Sequence, residues 1–482
     1  MKLPGWAPTA VDRRLADALG PLIYAIGGSV RDKLINHYHG TSLVNKDQDY
    51  VVVGIDVGTV IERLERIGRV NMVGDSFGVL KVNVDGETVD IAFARREVST
   101  GIGHKDFDVS FGPEVTLQED MTRRDISINT FSVSLKNGEL YSLDGALSDL
   151  QNKKIRVLNE KSFLDDPLRM LRCVQFAARF DFEIESDTLR LMTKHANLVS
   201  SMAQERVAEE FVKLMVKADK PSIGLDIMLE TGLIQILPEI ANCVGVEQNV
   251  FHKWQVYRHI TEAADAADKN LVDRVAAVFH DVGKPITQGA PGPNGHTFYN
   301  HEVVGAEMTR AALQRLRFSN DVVEQVTSLV RNHMYRSDME LAKPSVLRFV
   351  RRVGPENIER LFKLREADVT GCGRNVEQGI ENNRKFAAYV RQIINERPPL
   401  SVKDLDISGS DVILMLLEKG AVSPGFRGGK IVGDSLKHIL ELVTDQGKID
   451  QHLALNNYVS SILQEQVKPH RHSRTPKQEM SR

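Results

Sequence analysis

Cysteine is scarce. The 482-residue chain has three, Cys173, Cys243 and Cys372, far apart and without paired spacing. That pattern excludes a disulfide-stapled fold, argues against a zinc site built of cysteines, and suits a reducing compartment. No run of about 18 apolar residues occurs, so no membrane span is expected. The opening MKLPGWAPTAVDRR has no apolar segment of the kind a signal peptide needs. An excess of positive charge is missing too: the net charge is −3. Bulk electrostatics therefore do not announce a nucleic-acid binder, and an RNA partner would require local basic patches. These absences predict a cytoplasmic protein with no membrane contact.

What is present is an ordinary globular composition, 42% hydrophobic and 26% charged, at a length that predicts several domains of about 100–200 residues each. The most informative stretch runs from Tyr24 to Gly54. Gly27 and Gly28 let backbone approach a ligand, and a helix starting near Ser29 aims free N–H groups at phosphate. Downstream, Asp47 and Asp49 lead into Tyr50-Val51-Val52-Val53, which reads as a buried strand. Residues two apart share a strand face, so both acids point at one spot if the strand includes them, where they repel unless a cation or proton sits between them. Oxygen ligands suit Mg²⁺. A phosphate cradle beside a metal pair reads as nucleotidyl transfer.

This stretch resembles the signature of the polymerase-β-like nucleotidyltransferase superfamily. Within it the chain resembles the class II tRNA nucleotidyltransferase (CCA-adding enzyme) and poly(A) polymerase family. Later motifs agree in order. An Asp85-Gly86 hairpin signal joins two alternating strands, the second carrying Asp90, either a third catalytic carboxylate or a solvated strand acid. From Arg95 to Pro113 the chain is polar and glycine-broken, which predicts a long loop. Arg123, Arg124, Asp125 and Asn129 match the family's nucleotide-binding motif, arginines suiting triphosphate and the acid and amide suiting ribose. Asp144, Gly145, Asp149 and Leu150 resemble its head–neck hinge, with Ala146 replacing a common glycine.

From Phe163 the pattern turns helical, with Leu168, Leu171, Val174 and Ala178 on one apolar face. Asp165-Asp166-Pro167-Leu168-Arg169 resembles the neck motif, which implies a base-reading role for Asp166 and Arg169, with Arg172 nearby. An acceptor-only carboxylate and a donor-only guanidinium fit the pairing edges of C and A and oppose those of U and G. Asp166 before Pro167 is equally what a helix cap looks like. Glu205, Arg206 and Glu209 match the last neck motif, or form ordinary surface ion pairs.

A second constellation follows: His259, then His280-Asp281, His301, His333 and Asp368. It resembles the HD phosphohydrolase superfamily, which implies metal ligands at His259, His280, Asp281 and Asp368. His301 and His333 match positions that bind a second metal or contact phosphate. Mixed imidazole and carboxylate ligands suit Mn²⁺, Ni²⁺, Fe²⁺ or Zn²⁺ better than Mg²⁺ alone. Farther on, Phe426-Arg427-Gly428-Gly429-Lys430 reads either as a basic RNA contact or as a loop entering a helix.

The expectation is thus an α+β protein: a polymerase-β-like head with a mixed sheet and helices, then an all-α neck, body, HD domain and tail. Boundaries fall at 1–150 for the head, 151–245 for neck and body, 246–375 for the HD domain, 376–465 for a helical tRNA-binding tail, and 466–482 for a disordered basic end. The resemblance implies template-independent addition of CCA to the tRNA acceptor end from CTP and ATP. Mg²⁺ would be held by Asp47 and Asp49, and the triphosphate cradled by Gly27, Gly28, Ser29 and Arg31. The oligomeric state is open between monomer and homodimer. Poly(A) polymerase, an A-adding enzyme, and an HD phosphohydrolase with a nucleotide-binding head stand as alternatives.

Overall fold

The computed structural model describes residues 1–44, 48–73, 78–99, 107–337 and 341–467. The chain divides into two compact units, Met1–His333 with Glu366–Arg374, and Met334–Arg365 with Asn375–Arg482. Among the described residues no helix is long and apolar enough to cross a membrane.

The first unit begins with a mixed sheet. Its strands in chain order are β1 (Ile23–Ile26), β2 (Asp49–Val52), β3 (Gly68–Val73), β4 (Val79–Val84) and β5 (Glu87–Phe93). After them come β6 (Arg95–Ser99), β7 (Phe107–Phe111), β8 (Ser132–Ser134) and β9 (Leu140–Tyr141). Seven of these form one sheet in the order β3-β4-β5-β2-β1-β8-β9. Tyr50, Val51 and Val52 are each 1% exposed, as a continuous apolar run in a strand covered on both faces should be. Asp85 and Gly86 both take positive φ, 52° and 90°, and turn β4 into β5, the geometry of a tight hairpin.

The helix Val57–Glu65 begins where the Asp56 side chain caps it by accepting from Thr59 N, and Gly68 already belongs to β3. One local expectation is corrected. The polar stretch after Arg95 is not a plain loop: β6 and β7 pair antiparallel from Arg95↔Phe111 to Ser99↔Phe107. Phe111 anchors that ribbon by stacking on Phe93 at 6.1 Å.

The rest is helical apart from a parallel pair of two-residue strands, Lys154–Ile155 and Glu183–Ile184, which interrupts the expected all-helical 151–245 segment. On the helix Leu168–Phe180 the expected face (Leu168, Leu171, Val174 and Ala178) is buried. Asp149 is held by Arg156 Nε at 2.7 Å, while Gly145 takes a left-handed φ of 78° with Arg156 where a side chain would go. A helical bundle follows, carrying the second constellation described below.

In the second unit, Tyr335, Phe349, Phe362 and Phe386 pack ring against ring, and the Tyr335 hydroxyl donates to Asn383 Oδ1 at 2.6 Å. Ile407, Val412, Leu416, Ile439, Leu455 and Val459 form the core of the tail helices. Residues 426–429 form a loop that enters the helix Lys430–Gln446. The last helix, Gln451–Val467, reaches the end of the described residues, so most of the expected basic end lies outside them.

Candidate functional site

The head site is organised by strand register. β2 lies between β1 and β5, antiparallel to the first and parallel to the second. That places Ile26 opposite Asp49, and Asp49 beside Asp90 on one rung. Paired residues on adjacent strands project to the same face. Asp49 and Asp90 therefore share a sheet face, and both are exposed. Asp47 lies outside the described residues.

Gly27 shows why this site needs glycine. Its φ is +74°, and a β-carbon there would fall 3.3 Å from Asp49 Oδ2. A side chain would be strained and would crowd the carboxylate. The helix Gly28–His39 begins at the next residue, so its first N–H groups open beside that acid. Ser29 turns its hydroxyl back to Ile26 O at 3.4 Å.

Arg31 is placed differently from the sequence expectation. It is 4% exposed, and its fork is already occupied. Nε and Nη2 donate to Asp32 Oδ1 at 2.8 and 2.7 Å, Nη1 donates to Asn129 Oδ1 at 2.6 Å, and the guanidinium lies over Phe176 and Phe180. A polar chain continues from there. Asn129 Nδ2 donates to Asp125 Oδ1 at 2.9 Å, Arg172 Nε to Asp125 Oδ2 at 2.7 Å, and Arg179 Nη2 to Asp32 Oδ2 at 3.4 Å. Burial alone would raise the Asp125 carboxyl, but Arg172 and the hydrogen bonds hold it down to about 2. Removing one member of a buried ion pair strands the other charge and costs about 3–5 kcal/mol. Arg31→Ala is accordingly expected to unfold at much lower denaturant concentration. An unchanged midpoint with only a raised nucleotide KM would return Arg31 to the triphosphate.

Arg123 and Arg124 converge on the fully buried Asp120, at 2.7 and 2.9 Å. Arg123 also lines a cleft of about 360 Å³ together with Arg96, Lys161, Ser162, Asp165 and Arg169. Arg169 donates to Ser162 Oγ at 2.6 Å and to the Arg123 carbonyl at 2.9 Å. Asp166 pairs with Arg206 at 2.9 Å and accepts a long 3.3 Å bond from Leu168 N, so it is at most a weak cap. Glu205 is exposed and 3.9 Å from Arg317. The buried acid of the last neck motif is Glu210 rather than Glu209, which is exposed. Glu210 sits 2.7 Å from Lys213 and 3.9 Å from Arg172. Sequence reading missed Glu210, Asp32, Arg179 and Asp120. Only Asp120 left a signal, its i+3 and i+4 arginines.

The second constellation closes into one buried cluster. His259 comes from the helix Val256–Ala266, and His280-Asp281 follow the helix Leu271–Phe279. His301 opens the helix His301–Arg315, His333 ends the helix Asn320–Asn332, and Asp368 lies in Ile358–Cys372. His259 Nε2 is 3.0 Å from His280 Nε2 and 3.2 Å from both Asp281 Oδ2 and Asp368 Oδ1. His301 Nε2 lies 3.2 Å from Asp281 Oδ1, and His333 Nε2 lies 3.7 Å from it.

Each of His280, His301 and His333 turns Nδ1 to a backbone carbonyl, of Ala277, Phe298 and Val330, at 2.6 to 2.7 Å. A carbonyl only accepts, so Nδ1 carries a proton and Nε2 is the nitrogen that faces the centre, where a metal would displace any proton it holds. Lys284 Nζ meets Asp281 Oδ2 at 2.5 Å and Gln248 Oε1 at 2.6 Å.

Burial disfavours charge on His280, yet Asp281 and Asp368 outweigh it and raise the imidazolium pKa to about 10. His333, buried and next to His280, is lowered to about 3. His280 with Lys284 draws Asp281 far below the usual carboxylate range despite its burial. Two carboxylates and four inward nitrogens thus demand positive charge at one dry point. That donor set fits a divalent metal with mixed nitrogen and oxygen ligands.

Comparison with known proteins agrees with this geometry. Residues 23–156 match the family described as the poly A polymerase head domain. Residues 181–244 match the probable RNA and SrmB-binding site of polymerase A, and residues 250–371 the HD domain. The chain is similar to a multifunctional CCA protein of Pasteurella multocida, 32% identical over 373 residues, covering 72% of this chain and 84% of that one. A protein of the same name from Cupriavidus metallidurans is 33% identical over 370 residues, again 72% and 84%. Among solved structures, the Bacillus stearothermophilus CCA-adding enzyme in complex with CTP shares the fold at a TM-score of 0.64. It is 19% identical, over 95% of this chain and 97% of that one. A Thermotoga maritima CCA-adding enzyme complexed with tRNA has a TM-score of 0.52 at 20% identity, over 94% of each chain.

Proposed function

The chain belongs to the family of multifunctional CCA proteins, and from that membership we propose that it adds CCA to tRNA 3′ ends from CTP and ATP. The observation that carries the reading is the rung that sets Asp49 beside Asp90, with Gly27 pressed against the Asp49 carboxylate at the start of a helix. Asp49 and Asp90, with Asp47, would hold Mg²⁺. When bound, that ion neutralises charge on the α-phosphate as the tRNA 3′-hydroxyl attacks and pyrophosphate leaves. The helix N-terminus beside Asp49 presents its free N–H groups to the triphosphate. Arg31, Asp125, Asn129 and Arg172 act one layer below, fixing that helix to the neck helix. A cytoplasmic location fits the same reading.

Nucleotide choice falls to Asp166 and Arg169, which sit i, i+3 at the neck. Base reading requires Asp166 to be shared with Arg206, and Arg169 to reorient its donors from Ser162 and the Arg123 carbonyl. A mismatched U or G would leave two buried partners unpaired at about 1–3 kcal/mol each, roughly a hundredfold in incorporation. Asp166→Ala and Arg169→Ala are therefore expected to raise UTP and GTP incorporation relative to CTP and ATP. A uniform fall for all four nucleotides would leave these residues a purely structural role.

The buried His/Asp cluster favours a second activity in the same chain, metal-dependent hydrolysis of small phosphoesters with Mn²⁺, Ni²⁺ or Mg²⁺. The test of the main reading is direct. tRNA lacking its 3′ end is incubated with CTP, ATP or both, and the products are sized. Growth by CC with CTP and by CCA with both is the expected result. A long A tract from ATP alone would identify a poly(A) polymerase instead.

A further inference from the structure

His252 took no part in the functions above, and neither did Cys372. Yet His252, His259 and Cys372 each offer a ligand atom, and the three atoms lie within 4.8 Å of one another. His252 Nδ1 faces Asn249 Oδ1 at 2.8 Å. With Asn249 oxygen accepting, His252 Nε2 keeps its lone pair, the same orientation logic that aims His280, His301 and His333. The thiol stands 3.7 Å from Asp368 Oδ1.

The elements that carry these ligands are fixed by backbone. Lys253 N donates to Cys372 O at 2.9 Å, binding the turn that holds His252 to the end of the helix that holds Cys372. A β-carbon on Gly371 would fall 2.8 Å from His259 O, so that helix end and the His259 helix touch backbone to backbone. His259 is 0% exposed. Its Nε2 is engaged by His280, Asp281 and Asp368, while its Nδ1 is buried and meets no hydrogen-bond partner among the described residues. A buried imidazole nitrogen of that kind costs free energy unless something binds it.

We propose that His252, His259 and Cys372 form a second metal position, distinct from the His/Asp cluster and sharing His259 with it, that takes a thiophilic divalent cation of the Zn²⁺ class. The chemistry differs from that of its neighbour. The cluster around Asp281 offers oxygens and imidazoles, whereas this set offers one thiolate and two imidazoles, which selects Zn²⁺ over Mg²⁺ or Mn²⁺. Binding converts the Cys372 thiol to thiolate and releases its proton to solvent, and with both positions filled His259 also gives up its ring N–H proton and bridges them as imidazolate. Three protein ligands leave a fourth tetrahedral position open to water or a phosphate oxygen. The inference depends on no part of the nucleotidyl-transfer reading.

Cobalt reports the site without reference to activity. Full-length protein titrated with Co²⁺ is expected to develop the strong near-ultraviolet thiolate-to-cobalt absorption, and Zn²⁺ is expected to bleach it. Cys372→Ser should abolish the band and His252→Gln should weaken it. Cys173→Ser and Cys243→Ser should keep it, because both thiols are buried and burial pushes their pKa values up. Should Cys372→Ser fold poorly, unmodified protein gives the same answer through alkylation. Zn²⁺ is expected to slow labelling of Cys372 by about tenfold or more, and Mg²⁺ to have no effect. The proposal is overturned by absence of the band, by a band that survives Cys372→Ser, or by labelling indifferent to Zn²⁺.

Discussion

Asp49→Ala is expected to lower nucleotide addition on the order of a thousandfold while tRNA affinity stays within a few-fold. The carboxylate sits on the rung with Asp90 and against the Gly27 backbone, at the start of the Gly28–His39 helix. Removing it takes away a carboxylate that would hold Mg²⁺, and with it the transition-state charge stabilisation that ion would supply. RNA affinity draws on phosphate contacts spread over other surfaces, so it is spared. The fold should be spared as well, since Asp49 is exposed and the buried β2 residues are Tyr50, Val51 and Val52. Asp90→Ala should follow Asp49→Ala in sign, because the two share a sheet face. A variant at Asp49 that keeps more than a tenth of the addition rate would remove this rung from the mechanism.

The second large effect concerns Asp281. Its two oxygens meet His259, His280, His301 and Lys284 within 3.2 Å. Asp281→Ala should eliminate metal-dependent hydrolysis of substrates such as 2′,3′-cyclic nucleotides, a loss of at least about a hundredfold, and leave CCA addition intact. Removing the carboxylate also leaves a buried imidazolium and the Lys284 ammonium without their partner, a cost of several kcal/mol. The variant's melting temperature therefore has to be recorded beside its activity. Asp281→Asn keeps the shape and provides the control. No hydrolysis by unmodified protein with any of Mg²⁺, Mn²⁺, Ni²⁺ or Co²⁺ would withdraw the second activity.

Much of this architecture could be read before any coordinates. The YVVV run marked β2, Asp85-Gly86 marked a hairpin, and apolar spacing marked the buried face of Leu168–Phe180, because period and turn chemistry are local properties. The scattered histidines were recognisable as one cluster because His–Asp with further histidines and a distant aspartate is uncommon by chance. The failures share one cause. An arginine three residues beyond a glycine looks the same on paper whether it reaches for phosphate or folds under onto Asp32. Glu209 and Glu210 are adjacent, so a rotation of about 100° along the helix decides which is buried, and packing of the face that carries Val207, Phe211 and Leu214 sets that rotation. The β6–β7 ribbon was hidden because its pairing is a backbone property that polar side chains neither create nor forbid.

The chain of contacts from Arg179 through Asp32, Arg31, Asn129 and Asp125 to Arg172 has a consequence for exchanging parts between related proteins. The two ends of this chain, Arg172 and Arg179, come from the helix Leu168–Phe180, the four members between them come from the sheet-bearing portion, and each arginine of the helix is answered by an acid of the head. A hybrid whose head comes from one relative and whose neck comes from another inherits half a code. Unless the transplanted head brings acids where this neck supplies Arg172 and Arg179, like charges or unanswered ones are trapped out of water. Such hybrids should express as soluble protein only when these six positions travel as a set, and a seam drawn after Phe180 should succeed where one drawn at Gly145 fails.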